Sequence, residues 1–234
     1  MIWIGTSGFQ YPEWKGTFYP ETLSAAKMLP YYAEHFPTSE INYSFYRVPA
    51  VSTVTRWNTE TPARFRFSFK APRVITHVKK LRDCADVLNR FQESIQTLDT
   101  KLGVVLFQLP PNFGRDVSLL SDFLAGIPRD GRCAFEFRHP SWFTDETFTV
   151  LRSANAALCI AESDSLETPV EVTANFGYFR LRKAAYSTAE MKRWAEIIER
   201  QNAKAQDVFV YFKHEESGTG PKFARQLMNA LKLE

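Results

Sequence analysis

Cysteine is scarce. The chain of 234 residues holds three, Cys84, Cys133 and Cys159, and no Cys-x-x-Cys pair. That odd, sparse set argues against a disulfide-stapled scaffold or a cysteine zinc site and points to a reducing compartment. Cys133 and Cys159 sit in apolar runs, where a free thiol behaves as a small hydrophobe. Glycine is also low, at 10 residues, and no glycine-rich dinucleotide or phosphate loop occurs. No apolar run approaches the ~18 residues of a membrane span. No basic-then-apolar leader precedes the first apolar run, so the expectation is a cytoplasmic protein without a membrane partner. Low-complexity tracts, long linkers and internal repeats are missing. Neither sign of charge dominates: the net charge of +3 does not by itself call for nucleic acid, because steering depends on clustering.

Aromatic residues make up 15% of the chain, with 20 phenylalanines. Eight short apolar runs recur, at 2–5, 39–41, 65–69, 104–107, 134–137, 157–161, 177–181 and 208–212. Amphipathic stretches of helical period alternate with them, at 24–36, 51–59, 81–98, 117–124, 144–154, 188–201 and 221–231. Ser187-Thr188-Ala189-Glu190 reads as a helix N-terminal cap. Gly103 reads as the stop of the third long helix. The stretch 165–175 holds Pro169 and little periodicity, so a sixth helix is expected to be short or missing. Strict alternation of strand and helix predicts a parallel sheet. With eight strands, the fold class is α/β: a single (β/α)8 TIM barrel filling 1–234 as one domain, compact beside the typical ~250 residues.

The runs do not stay apolar. They end in Ser7, Glu40 and Asn42, Lys70, Gln108, Glu136 and Arg138, Glu162, Arg180, and Tyr211 with Lys213. Strand side chains alternate faces. If Phe65, Phe67 and Phe69 meet the helices, then Arg66, Ser68 and Lys70 face the axis. By the same parity Cys133, Phe135 and Phe137 face out, while Glu136 and Arg138 face in. Glu40 and Asn42 face in beside Ile41; Tyr178, Arg180 and Arg182 face in beside Phe179 and Leu181. Tyr211 and Lys213 face in beside Val210 and Phe212. Active sites of barrel enzymes sit at this C-terminal mouth. Buried charges that only satisfy one another would give the same pattern.

Several strings, taken in order, match one pattern. They are Ile4-Gly5-Thr6-Ser7-Gly8, Trp14-Lys15-Gly16-Thr17-Phe18-Tyr19-Pro20, Glu40-Ile41-Asn42 with Phe45-Tyr46-Arg47, Lys70 with Ile75-Thr76-His77, Phe107-Gln108-Leu109-Pro110-Pro111 and Glu136-Phe137-Arg138-His139-Pro140-Ser141-Trp142. Along nearly its whole length the chain resembles the domain-of-unknown-function-72, or YecE-like, family. The resemblance implies a TIM barrel and brings no established activity. Five positions at three strand ends depart from the family pattern. Arg182 and Lys183 stand where Arg-Leu-His-Gly has His-Gly, Lys213-His214 where Tyr-Phe-Asn-Asn has its amides, and Glu162 where an Asp is usual. The added basic groups imply a more anionic ligand for this member.

The candidate catalytic residues are Glu136, Glu40 and Lys70. A carboxylate beside cations stays ionised, and one in an apolar corner becomes an acid. Two carboxylates on separate strands also suit glycosidase-type chemistry. Candidate ligand-binding residues are Asn42, His77, Gln108, Arg138, His139, Trp142, Glu162, Arg180, Tyr211 and Lys213, because arginine and lysine in a mouth suit phosphate or carboxylate. Aromatic loops (Phe9, Tyr11, Trp14, Phe18 and Tyr19; Tyr43, Phe45 and Tyr46; Trp142 and Phe143) either stack sugars or bases or cap the barrel. No cofactor motif is present. A divalent metal on Glu40, Glu136, Glu162, Asp164, His139 or His214 is a weaker alternative, opposed by the surrounding cations and by the lack of tight histidine spacing. The expected partner is an anionic phosphate- or sugar-bearing small molecule, with hydrolase or isomerase chemistry open. A nucleic-acid-binding or phosphodiester-processing barrel and a non-catalytic binding barrel are the alternatives.

Overall fold

Each of the eight apolar runs forms a strand in the computed structural model, which describes residues 1–128, 131–163, 166–213 and 218–233. The strands are β1 (Ile2–Ser7), β2 (Thr38–Ile41), β3 (Arg66–Lys70), β4 (Leu102–Gln108), β5 (Cys133–Glu136), β6 (Ala157–Ser163), β7 (Phe176–Leu181) and β8 (Asp207–Phe212). Every neighbouring pair is parallel, and β8 returns to β1, so the sheet closes on itself. Helices α1 (Met28–His35), α2 (Tyr43–Tyr46), α3 (Val51–Thr59), α4 (Ala85–Ile95), α5 (Val117–Ala125), α6 (Asp145–Ser153), α7 (Thr188–Asn202) and α8 (Thr219–Ala230) lie between or after the strands. This is a (β/α)8 TIM barrel. No helix among the described residues is long and apolar enough to cross a membrane.

The strand parity holds. Ile41, Phe65, Phe67, Phe69, Phe179, Leu181, Val208, Val210 and Phe212 join one core outside the barrel with α1, α3, α7 and α8. Phe135, Phe137 and Cys133 join a second with α4, α5 and α6. A third, inner core holds Trp3, Val104, Leu106, Ala134, Ala157, Cys159, Ala161, Phe176, Tyr178, Phe209 and Tyr211. Burial of each large outer ring contributes about 1.5–3 kcal/mol. The inner residues of β5 and β6 are small (Ala134, Ala157, Cys159, Ala161), and Ala161 lies in register with Arg180. A long side chain from β7 thereby has room to cross the interior.

Gly103 does not stop a helix; it lies within β4. The turn before it comes at Asp99, with φ of 49°. A Cβ at Gly103 would sit 2.9 Å from Ser68 Oγ and 3.2 Å from Phe209, so the glycine serves close packing inside the barrel. Between β6 and β7 no helix occurs among the described residues; a two-residue strand, Leu166–Glu167, runs antiparallel to β6 instead. Thr173 helps tie that segment down, accepting from Leu158 N at 2.7 Å and donating to Ala156 O at 2.7 Å. Ser187 and Glu190 form the expected capping box of α7.

Candidate functional site

The C-terminal ends of β1, β2, β3, β4, β5 and β7 bring a charged layer together on the axis. Arg180 lies just inside the end of β7, on the same inward parity as Tyr178, and is fully buried, as are Glu40 and Glu136. Its guanidinium spans both carboxylates. Nη2 donates to Glu40 Oε1 at 2.8 Å and Nε to the same oxygen at 3.2 Å; Nη1 donates to Glu136 Oε2. Glu40 receives two further donors, Ser7 Oγ on Oε1 and Tyr178 OH at 2.6 Å on Oε2. Three donors thus crowd Oε1 and one reaches Oε2. Ser7 Oγ in turn accepts from Asn42 Nδ2 at 2.7 Å. Ser7 stands beside Glu40 because the β1–β2 register pairs them.

Glu136 is held by three arginines. Besides Arg180, Arg138 Nε donates to Oε1 at 2.8 Å, and Arg182 Nη2 lies 3.3 Å from the same oxygen. Burial alone would raise the Glu136 pKa, but Arg180, Arg182 and Arg138 outweigh it and hold the carboxyl well below the usual carboxylate range. A carboxylate that firmly ionised is neither a proton donor nor an effective base near neutrality. The acid/base role read for Glu136 from sequence is therefore corrected to electrostatic anchoring. Glu40, held by Arg180, Ser7 and Tyr178, is an anchor of the same kind.

Lys70 ends β3 at the mouth. Its Nζ lies 3.8 Å from the centroid of the Phe45 ring. Burial and the nearby Arg180 lower its pKa from 10.5 to about 7, although Glu136 and Glu40 oppose the shift. The ring face favours an ammonium, yet desolvation prevails. Among the described residues its Nζ makes no ion pair or hydrogen bond. His77 stands on a single π-helical turn, Val74–Val78, edge-on to Phe45 at 5.0 Å. Burial, then Lys70, Arg73 and Arg138, lower its pKa to about 4, so the ring is neutral at physiological pH. Its Nδ1 is 2.9 Å from Thr76 Oγ1. Gln108 borders the layer, with Oε1 3.5 Å from Arg180 Nη1. Lys213 is near enough to Lys70 to lower its pKa.

Other sequence candidates fall elsewhere. Glu162 points outward, accepting from Trp194 Nε1 of α7 at 2.9 Å. Inner Cys159 and Ala161 put position 162 on the opposite face, so the parity rule carried the signal and the polar strand end obscured it. Trp142 is fully buried, stacked on Phe137 at 4.6 Å and 9°, with Nε1 on Phe113 O at 2.7 Å; no ring face is left for a ligand. Tyr211 lies one layer deeper, its hydroxyl spent on Thr38 and Ser68 at 2.7 and 2.8 Å. His139 caps the turn Pro140–Trp142 through Ser141, so its ring is engaged within that turn and not with the Glu40–Glu136 layer. In the first loop Phe9, Trp14 and Tyr19 are core, whereas Tyr43 and Tyr46 are exposed. Ser7, Tyr178 and Phe45 join the site although sequence reasoning does not rank them as site residues. Tyr178 is legible as the inward neighbour of Arg180; Ser7 needs the register, and Phe45 needs the loop's path.

Among the described residues no group of three or more His, Cys, Asp or Glu is placed to hold a metal, and Asp164 and His214 lie outside them. A cavity of about 800 Å³ opens at the opposite end, lined by Trp3, Arg66, Phe91, Arg132 and Asp207 among others. There Arg132 Nη1 lies 2.6 Å and Trp3 Nε1 2.9 Å from Asp207. It shares no residue with the charged mouth.

The model of the family described as "Protein of unknown function DUF72" matches residues 3–234. The chain belongs to the DUF72 family. It is 34% identical over 144 residues to the UPF0759 protein YecE of Escherichia coli K12, a match covering 61% of this chain and 50% of that protein. The matched stretch thus spans about half the length of that relative. Identity to UPF0759 protein YunF of Bacillus subtilis is 24% over 277 aligned residues, covering 100% of this chain and 96% of the other. The crystal structure of a DUF72 family protein from Thermotoga maritima aligns with a TM-score of 0.89 at 26% identity, covering 99% of each chain. One from Enterococcus faecalis aligns at 0.84 and 22%, covering 100% and 96%; that likeness concerns the fold alone. Within this DUF72 barrel, the Arg180 bridge is the feature around which the mouth is organised.

Proposed function

We propose that this DUF72 protein binds an anionic small molecule, bearing phosphate or carboxylate, at the mouth above Arg180. One observation carries the reading. Arg182 Nε and Nη2 are buried with no hydrogen-bond partner among the described residues; the 3.3 Å approach of Nη2 to Glu136 is an ion pair without hydrogen-bond geometry. Donors buried without acceptors are costly, and oxyanion oxygens would satisfy them. The charge balance agrees. Among the described residues Arg138, Arg180 and Arg182 pair with Glu40 and Glu136, three cations against two anions before Lys70 is added. Burial, with Arg180 and Arg138 as like charges, lowers the Arg182 pKa against the opposing pull of Glu136; a bound anion relieves that repulsion. A purely structural plug would tend toward neutrality.

Native mass spectrometry of the purified protein, with thermal shifts against inorganic phosphate, pyrophosphate and a sugar phosphate, tests the proposal. Retained anionic mass or saturable stabilisation, lost in Arg182→Leu with the fold intact, is the expected result. No mass and no shift across the panel would overturn it.

A second reading, single-stranded nucleic acid, is favoured by Tyr46, 81% exposed on the loop after β2 and next to Arg47, because exposed aromatics beside cations stack bases. It requires affinity that falls steeply with salt. Salt-insensitive or absent binding of an oligonucleotide removes it.

A further inference from the structure

Lys70 and Lys101 both have depressed pKa values, and they differ in how the amine is satisfied. Lys101 donates to the backbone carbonyls Asn58 O and Thr61 O, at 2.5 and 2.8 Å, a structural tie. Lys70 has neither carbonyl nor carboxylate among the described residues. The two carboxylates within electrostatic reach, Glu40 and Glu136, are already committed to Arg180, Ser7, Tyr178 and Arg138. The Arg180 bridge thus deprives Lys70 of a counter-ion, and Phe45 covers it with a ring. Its place is the last residue of a barrel strand, facing the mouth, within electrostatic reach of Arg180 and Glu136, and Glu136 in turn adjoins Arg182, whose Nε and Nη2 are unpartnered among the described residues.

We propose that Lys70 is a nucleophile that forms an imine with an anionic carbonyl compound, its anionic group lying on Arg182 and Arg138. The proposal rests on the anion-binding reading above and adds covalent chemistry to it. The neutral amine attacks the carbonyl carbon, a C–N bond forms, and the oxygen becomes the hydroxyl of a carbinolamine. One amine proton makes that hydroxyl; the C–O bond then breaks and the hydroxyl leaves as water with the second amine proton, giving C=N, and no oxidant or reductant is consumed. At neutral pH a large share of Lys70 is unprotonated, because its pKa stands at about 7, and a desolvated lysine near other cations is the usual form of an imine-forming amine. The anion-bearing carbonyl has two sources, a 2-oxo acid or an open-chain sugar phosphate.

The test is reductive trapping. The whole protein is incubated with sodium cyanoborohydride and either pyruvate or glyceraldehyde 3-phosphate, then read by intact mass and peptide mapping. The expected result is one adduct on Lys70 with at least one probe, slowed by inorganic phosphate and at least tenfold weaker on that peptide's site in Lys70→Arg. The arginine variant keeps the charge and cannot form an imine, and circular dichroism confirms its fold. Labelling with pyruvate alone points to oxo acids; labelling with the triose phosphate alone points to sugar phosphates. Adducts spread over surface lysines, at the same level in wild type and Lys70→Arg, would overturn the proposal. A phosphate thermal shift measured alongside separates the two readings: a shift without Lys70 labelling leaves anion binding standing and the imine refuted.

Discussion

Arg180 Nη2 lies 2.8 Å from Glu40 Oε1, and the same guanidinium reaches Glu136 on the other side of the barrel. One side chain from β7 thereby neutralises carboxylates from β2 and β5, and among the described residues Lys70 makes no ion pair. The bridge sets the chemistry of the mouth.

Removing the bridge is expected to be severe. Arg180→Met strips Glu40 of its ion pair and leaves Glu136 to Arg138 and Arg182, and breaking a buried pair costs about 3–5 kcal/mol. Urea denaturation at neutral pH measures it. Part of the loss should be recovered on acidification, as the stranded Glu40 carboxylate protonates. A variant as stable as wild type would show that the bridge is not formed in solution.

Stability should respond to acid through Glu136. Its folded pKa lies below the ordinary 4.5, so its stabilisation is complete above that value and declines as pH falls toward the folded one. Glu136→Gln should be less stable than wild type near neutrality, with the gap narrowing as the pH drops below about 4. A pH-independent gap would count against the arginine cage.

Lys70 has the opposite sense. The folded state holds its proton less tightly than the unfolded chain, so stability should rise with pH between about 7 and 10.5. Arg180, Glu136, Glu40 and Lys213 are the charged groups acting on it. Lys70→Met should remove that slope and be at least as stable as wild type below neutrality. Denaturation curves across this range, compared between the two proteins, decide the matter; a slope unchanged in the variant would mean the amine is solvated.

Trp142 should matter to the fold and not to the ligand. Trp142→Ala is expected to cost about 3–5 kcal/mol, and the milder Trp142→Phe to keep phosphate-induced stabilisation. Loss of that stabilisation in a folded Trp142→Phe would return the ring to the ligand site.

Much of this molecule was legible in its residues. The period-2 runs and 3.6-residue stretches determined eight strands, the helices between them and the gap after β6, because apolar faces must be buried at the spacing of the element that carries them. Parity placed Glu40, Lys70, Glu136 and Arg180 on the axis, since Phe65, Phe67 and Phe69 and their counterparts had to meet helices. It did not say who pairs with whom. Ser7 reaches Glu40 through strand register, Arg180 spans β2 and β5 across a space left by Ala134 and Ala161, and Phe45 arrives over Lys70 by a loop. Glu162 faces away from the axis by the same parity, bonded to Trp194 Nε1, and Trp142, on the turn after β5, is buried against Phe137 with its Nε1 on Phe113 O. Residue type and spacing determine which face a side chain takes; only the closed barrel decides which charges meet across its axis, because partners such as Arg180, Glu40 and Glu136 come from strands far apart in the chain.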